Sequence, residues 1–234
     1  MAGELAKVTW QQLLYPLGLV ALPLFFLRFL FQWIASERAG KSVVPELFWQ
    51  LSLVAHLLMV VHSTIQFQYH VGVVQLASGL IAYRNLELRR RHPCTSSTFC
   101  CLFALLLALF TIGFALLAQL CDASWWSVPM NPWRERPVDC PWQWHLFGLL
   151  GMALFSSRFW IQWWHAERHK WAELPPLFWW MSFIGNGLML FYFGAIGDLV
   201  NGAGPLIALI PYGRNLQFAM RRSAAPEAPF GLRN

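Results

Sequence analysis

Arg28 and Arg158 lie inside long apolar runs. Each is followed four residues later by a glutamine, Gln32 and Gln162, and five later by a tryptophan, Trp33 and Trp163. A four-residue spacing puts arginine and glutamine on one helix face, as a polar stripe. A charge at mid-bilayer costs about 2.5–3.5 kcal/mol on insertion scales, so such an arginine needs a partner or a polar cavity. Its planar fork suits a phosphate or carboxylate headgroup. A structural ion pair or a snorkelling side chain accounts for the same residues equally well. Glu37 and Glu167 follow the arginines by nine residues, half a turn away on an ideal helix, so they do not pair within their own helix. Arg84-Asn85 and Arg214-Asn215, at the ends of later apolar runs, are the available partners. Their cations also oppose the helix dipole, which needs no ligand. Trp33 and Trp163 suit an interfacial belt as well as a pocket. Ser/His/Asp arrangements, phosphate-cradling glycine loops and metal-ligand spacings are absent from the sequence, so neither catalysis nor a cofactor is expected.

These residues recur. Residues 22–88 and 152–218 align without a gap at an offset of 130, with 20 identities over 67 positions. Arg28-Phe29, Gln32-Trp33 and Glu37-Arg38 return as Arg158-Phe159, Gln162-Trp163 and Glu167-Arg168. Pro45, Phe48-Trp49 and Ser52 return as Pro175, Phe178-Trp179 and Ser182, and Arg84-Asn85-Leu86 as Arg214-Asn215-Leu216. Hydrophobicity alone repeats Leu and Phe but not Arg, Gln, Glu and Asn in register, so the chain is a tandem duplication. The symmetry breaks at His56, which becomes Asn186, and at Gln75, which becomes Pro205.

The hydrophobic fraction is 57% and the charged fraction 12%, with mean hydropathy +0.46. Soluble domains carry roughly 25% charge, so this composition belongs in a bilayer. Seven apolar stretches approach the roughly 20 residues a crossing requires, near 14–36, 46–67, 71–88, 98–120, 145–165, 176–197 and 200–220. Three helices reverse the chain, and a single linker helix restores its direction. The expected fold is all-α: two parallel three-helix repeats joined in a 3+1+3 order. Residues 1–92 form the first repeat, 93–144 the linker helix with a Trp/Pro-rich loop, 145–222 the second repeat, and 223–234 a disordered tail. Arg38, Lys41, Arg89, Arg90, Arg91, Arg168, Lys170, Arg221 and Arg222 fall on one side, against Lys7, Arg134 and Arg136 on the other. The positive-inside rule places the first side in the cytoplasm, the N-terminus outside and the C-terminus inside. Basic flanks of this kind favour anionic lipid over nucleic acid. Pseudo-two-fold symmetry should bring Arg28, Gln32, Arg158 and Gln162 to one cleft open to the cytoplasm. Cys121 and Cys140 flank the outer loop and have the option of a disulfide.

The motif Arg-Phe-x-x-Gln-Trp-x-x-x-Glu-Arg, then Pro-x-x-Phe-Trp-x-x-Ser, then Arg-Asn-Leu resembles the lipid-A-disaccharide synthase N-terminal domain family. The tandem form is similar to the membrane extension of chlamydial lipid-A-disaccharide synthases. The resemblance implies a multi-pass protein of the bacterial inner membrane, tied to lipid A assembly. It would bind a phosphorylated lipid A precursor or recruit a cytoplasmic glycosyltransferase at the inner leaflet. A glycosyltransferase catalytic unit does not fit in the dozen residues after the last helix, so the chain is not expected to be catalytic alone. More distantly, the helix order resembles the SWEET and PQ-loop transporters, which implies a transporter or flippase of a sugar or lipid-linked sugar. The Pro-Gln dipeptide of those proteins is absent at the matching point, where Arg28-Phe29 and Arg158-Phe159 stand nearby.

Overall fold

The computed structural model describes residues 10–40, 43–90, 93–129, 140–169 and 176–224. Among these the regular secondary structure is helical, with one isolated bridge between Gln68 and Trp126. Helix α1 (Ala21–Ala39) is entered through a helical turn, Trp10–Leu14, and a 3-10 stretch, Tyr15–Val20. It is followed by α2 (Glu46–Ile65), α3 (Tyr69–Glu87), α4 (Ser96–Leu120), α5 (Trp142–His169), α6 (Pro176–Ile196) and α7 (Leu199–Ala224). Among the described residues, four spans are long and apolar enough to cross a membrane: Gln11–Ala39, Glu46–Ile65, Ser96–Leu120 and Leu177–Ile196. Among the described residues, no disulfide joins Cys121 to Cys140.

Local signals explain the ends. Thr95 caps α4 by accepting the Thr98 N–H at 3.2 Å. Pro45 stands just before α2, where no intrahelical N–H is required of it. The α2–α3 and α6–α7 turns are the same turn made twice. Phe67 and Gly197, 130 positions apart, both adopt positive φ, 53° and 65°. The N–H of Gln68 donates to Ser63 O at 2.8 Å, and that of Asp198 to Phe193 O at 2.9 Å. The second repeat uses glycine at the left-handed position. The first places Phe67 there, with its ring buried against Phe114 and its carbonyl accepting from Ser127 N–H at 3.1 Å.

Within each repeat, consecutive helices pack together, while α4 lies against α3. Two seams join the repeats, α1 against α7 and α3 against α5, and a 130-residue shift exchanges them. Helices α1 and α7 run in the same sense: Tyr15 meets Val200, Phe29 meets Tyr212 and Glu37 meets Arg214, in that order. The repeated Phe-Trp motif forms the core between them. Phe48 and Trp49 stand edge-on at 5.0 Å, Phe178 and Trp179 at 4.9 Å, and Trp49 reaches Phe159 across the seam at 6.2 Å. The outer side of α4 leaves Leu105, Leu109, Ile112 and Leu116 more than half exposed, which suits contact with lipid tails.

Candidate binding site between the repeats

Helices α1, α2 and α3 and their counterparts α5, α6 and α7 all line one cavity, and α4 does not. It holds about 630 Å³ of empty space, its mouth included. Its walls are paired by the repeat: Phe25 with Phe155, His56 with Asn186, Met59 with Met189, Gln75 with Pro205. Arg28 supplies the positive charge among the lining residues. Its guanidinium is buried, donates to Ser52 Oγ at 3.0 Å and lies 3.4 Å from His56 Nε2. Phe25 and Phe29 offer ring faces at 4.5 and 4.6 Å. Nε of Arg28 has no hydrogen-bond partner.

Arg158 lies in a smaller adjoining cavity of about 250 Å³, together with Gln32. Phe29 and Tyr212 belong to the walls of both. Of the residues expected in one cleft, Arg28 therefore lines the larger cavity, and Gln32 and Arg158 the smaller. Tyr212 shares the dividing wall with Phe29. It stands where the first repeat has Ala82, with its ring 4.9 Å from the Arg158 guanidinium and 5.2 Å from Phe29. Arg158 is 1% exposed, sits over Phe155 at 3.5 Å, and leaves Nε and Nη1 without partners. Among the described residues, neither buried arginine forms a salt bridge.

The remaining sequence candidates divide as follows. Glu37 pairs across the seam with Arg214, Nε to Oε1 at 2.8 Å, and accepts from Trp33 Nε1 at 3.0 Å. Arg84 pairs with Glu87 at 3.1 Å and donates to Cys94 O at 3.0 Å. The Cys94 thiol donates to that carboxylate, which holds it above its ordinary range. Asn85 and Asn215 donate to carbonyls of their own helices, Ile81 O at 2.9 Å and Pro211 O at 2.8 Å. Trp163 packs half-buried against Phe99 and Trp160. The side chains of Gln162 and Glu167, the loop around residues 130–139 and the tail beyond 224 lie outside the described residues.

The symmetry breaks in the cavity wall prove to be linked. His56 Nδ1 lies 2.6 Å from Gln75 Oε1; in the second repeat Asn186 Nδ2 donates to Pro205 O at 2.6 Å. A second buried polar group, at the ends of the helices away from Glu37 and Arg214, escapes the motif search. Gln68 Nε2 donates to Asp198 Oδ2 at 3.0 Å, and Asn201 donates to the same oxygen at 2.8 Å. Tyr15 stands edge-on to His62 at 5.4 Å, and Tyr192 OH joins His145 Nδ1 at 2.7 Å and His70 Nε2 at 3.1 Å. The signal was present at the same 130-residue offset, with types exchanged: Tyr15 answers His145, and His62 answers Tyr192.

The family described as Lipid A Biosynthesis N-terminal domain matches residues 17–87 and 147–217, one copy on each repeat. The lipid-A-disaccharide synthase of Chlamydia caviae is 34% identical over 215 residues, covering 92% of this chain and 34% of that protein. That of Chlamydia felis is 36% identical over 215 residues with the same coverage, and that of Chlamydia pneumoniae 36% over 189, covering 81% and 30%. The chain thus spans about a third of the length of the curated relatives it matches. No solved structure matches it.

Proposed function

Because the chain belongs to the Lipid A Biosynthesis N-terminal domain family, we propose that it serves lipid A assembly by holding a phosphorylated lipid A precursor at the inner leaflet. A cytoplasmic glycosyltransferase would take the precursor from there. In this reading all seven long helices cross the bacterial inner membrane in a 3+1+3 order, with the N-terminus outside and the C-terminus in the cytoplasm. The observation that supports it is the pair of buried guanidinium groups, Arg28 and Arg158, with N–H groups left unfilled. A buried cation without a counter-charge is strongly unfavourable. A phosphate would supply the missing charge and acceptors at once, in the geometry a guanidinium fork prefers. The apolar remainder of the wall, Met59, Met152, Met189, Phe155 and Phe193 among it, suits acyl chains.

A transporter or flippase of a lipid-linked sugar is the second reading. It is favoured by the placement of the cavity, walled by all six repeat helices and reaching from Phe29 and Tyr212 to Val200 and Asn201.

Native mass spectrometry of gently purified protein tests the binding role. The wild type should retain a phosphorylated lipid, and Arg28→Lys and Arg158→Lys should retain less while keeping the wild-type melting temperature. Arg28→Met should also stay folded, since removing an unpaired buried charge costs little. Destabilisation with no change in retained lipid would reject the role.

A further inference from the structure

We propose that the seam between α1 and α7 is a lateral doorway by which a lipid acyl chain enters the cavity from the bilayer, and that α4 seals the equivalent seam between α3 and α5. This rests on the reading of the cavity as a lipid site.

The two seams are counterparts, but one is covered. Phe99 and Phe103 of α4 lie against Trp163 and Trp160 of α5 at 5.8 and 5.0 Å, and Phe110 and Phe114 lie against Tyr69 of α3 at 6.2 and 5.3 Å. A single helix thus bridges α3 and α5. Gly72 lets it close in, since a Cβ there would stand 2.7 Å from the Phe110 ring. Among the described residues, no helix takes this place at the other seam. Trp33 and Leu199, the counterparts of Trp163 and Tyr69, are 38% and 59% exposed. A Cβ on Gly202, the counterpart of Gly72, would meet only Phe193 of its own repeat, at 3.4 Å.

The uncovered seam is also thinner. On the covered side Val71, Val74, Met152 and Phe155 belong to one apolar cluster. Their counterparts are Asn201, Gly204, Leu22 and Phe25. A Cβ built on Gly204 meets nothing within 4 Å, although Gly204 and Phe25 both belong to the cavity wall. The seam is held on either side of this point, by Tyr15 OH accepting Val200 N–H at 3.3 Å and by Phe29 against Tyr212 at 5.2 Å. Between these contacts lies a window. Helix α7 can bend there, because Pro205 and Pro211 interrupt its hydrogen-bond ladder where α3 has Gln75 and Ile81.

Two features name the occupant. Phe25 is the middle residue of Gln11–Ala39, a span fit to cross a membrane, so the window opens at the depth of lipid tails. One turn further on, buried Arg28 keeps Nε without a partner on the cavity wall, which suits an anionic head on that chain.

The test uses protein in phosphatidylcholine vesicles. It is irradiated with phosphatidic acid carrying a diazirine at the end of one acyl chain, or with diacylglycerol carrying the same chain. Adducts on Met59 and Met189, inside the cavity, are divided by adducts on Leu105 and Leu109, exposed on α4. The parent should give cavity adducts with both probes. Gly204→Leu fills the window and should lower the ratio severalfold with both. Gly204 precedes Pro205, where a helical side chain crowds the proline ring. Leu22→Trp therefore narrows the same window from α1, at a half-buried position, and carries the test should Gly204→Leu not fold. Leu116→Trp, exposed on α4, should leave the ratio unchanged. Arg28→Lys should lower it with phosphatidic acid alone. A parent without cavity adducts overturns the doorway. So does a ratio that the plugging variants leave unmoved, or that Leu116→Trp lowers as much. The anion reading fails separately: plugs that act while Arg28→Lys changes nothing keep the doorway and remove the phosphate, and the reverse removes the doorway and keeps the phosphate.

Discussion

Gln68 donates its side-chain amide to Asp198 at 3.0 Å, and the two residues are each other's counterparts at the 130-residue repeat. Counterparts in a two-fold arrangement meet only where the axis passes. The bond therefore marks the axis at the helix ends away from Glu37 and Arg214, as the paired wall of the cavity marks it further along. Two glutamines could bond there, but a pair of aspartates would repel.

The first prediction concerns this tie. Asp198→Ala removes the cap of α7, worth about 1 kcal/mol, and strands the buried Gln68 and Asn201 donors, at about 1–3 kcal/mol each. Gln68→Leu strands nothing comparable and should cost less. Thermal unfolding in detergent should place Asp198→Ala lowest in melting temperature, Gln68→Leu between it and the wild type. Equal melting temperatures would remove the axial tie from the account of stability.

The second prediction concerns the turn that positions these residues. Gly197→Ala forces a Cβ into the left-handed region, at about 1–2 kcal/mol. Phe67→Gly relieves the same strain at the matching position but gives up a buried aromatic ring, and large-to-small changes of that size cost about 3–5 kcal/mol. Burial exceeds strain, so both variants should melt below the wild type, and Phe67→Gly further below. A stabilised Phe67→Gly would mean that the ring contributes little at 2% exposure.

Arg28, Gln32, Arg158 and the Phe-Trp pairs were legible because identical residues at a fixed offset stand out in an apolar background. Their placement follows from the same repeat: Phe48-Trp49 and Phe178-Trp179 build the core, and the arginines are buried beside it. The half-turn offset excluded a partner for Glu37 on its own helix and left Arg84 and Arg214 as candidates; the structure pairs it with Arg214, while Arg84 turns to Glu87. The polar group around Gln68 and Asp198 was not legible. Gln68 and Asp198, or Tyr15 and His145, count as mismatches in an identity search, although each pair occupies equivalent space. The separation of Arg28 from Arg158 was hidden for a related reason, because Tyr212 replaces Ala82 and no local rule tells where a single large ring will lie.

The last prediction uses the linked symmetry break. His56 finds its partner in the Gln75 side chain, whereas Asn186 finds its partner in the Pro205 carbonyl. A shorter amide reaches backbone, and proline at the partner position offers no competing side chain. Neither change should be tolerated alone. Asn186→His puts a bulkier ring against a wall shaped for an amide, with Pro205 unable to supply a side-chain acceptor. Pro205→Gln adds a buried amide for which Asn186, already committed to the carbonyl, is too short. Making both changes restores the pairing of the first repeat. Residues in direct contact couple by about 0.5–3 kcal/mol in double-mutant cycles. The double variant should therefore be more stable than the sum of the single changes by an amount in that range. Denaturant unfolding of the four proteins in the same detergent measures it. A coupling of zero would mean that the two halves of the cavity wall are built independently, and that the exchange of His56–Gln75 for Asn186–Pro205 is a coincidence of position.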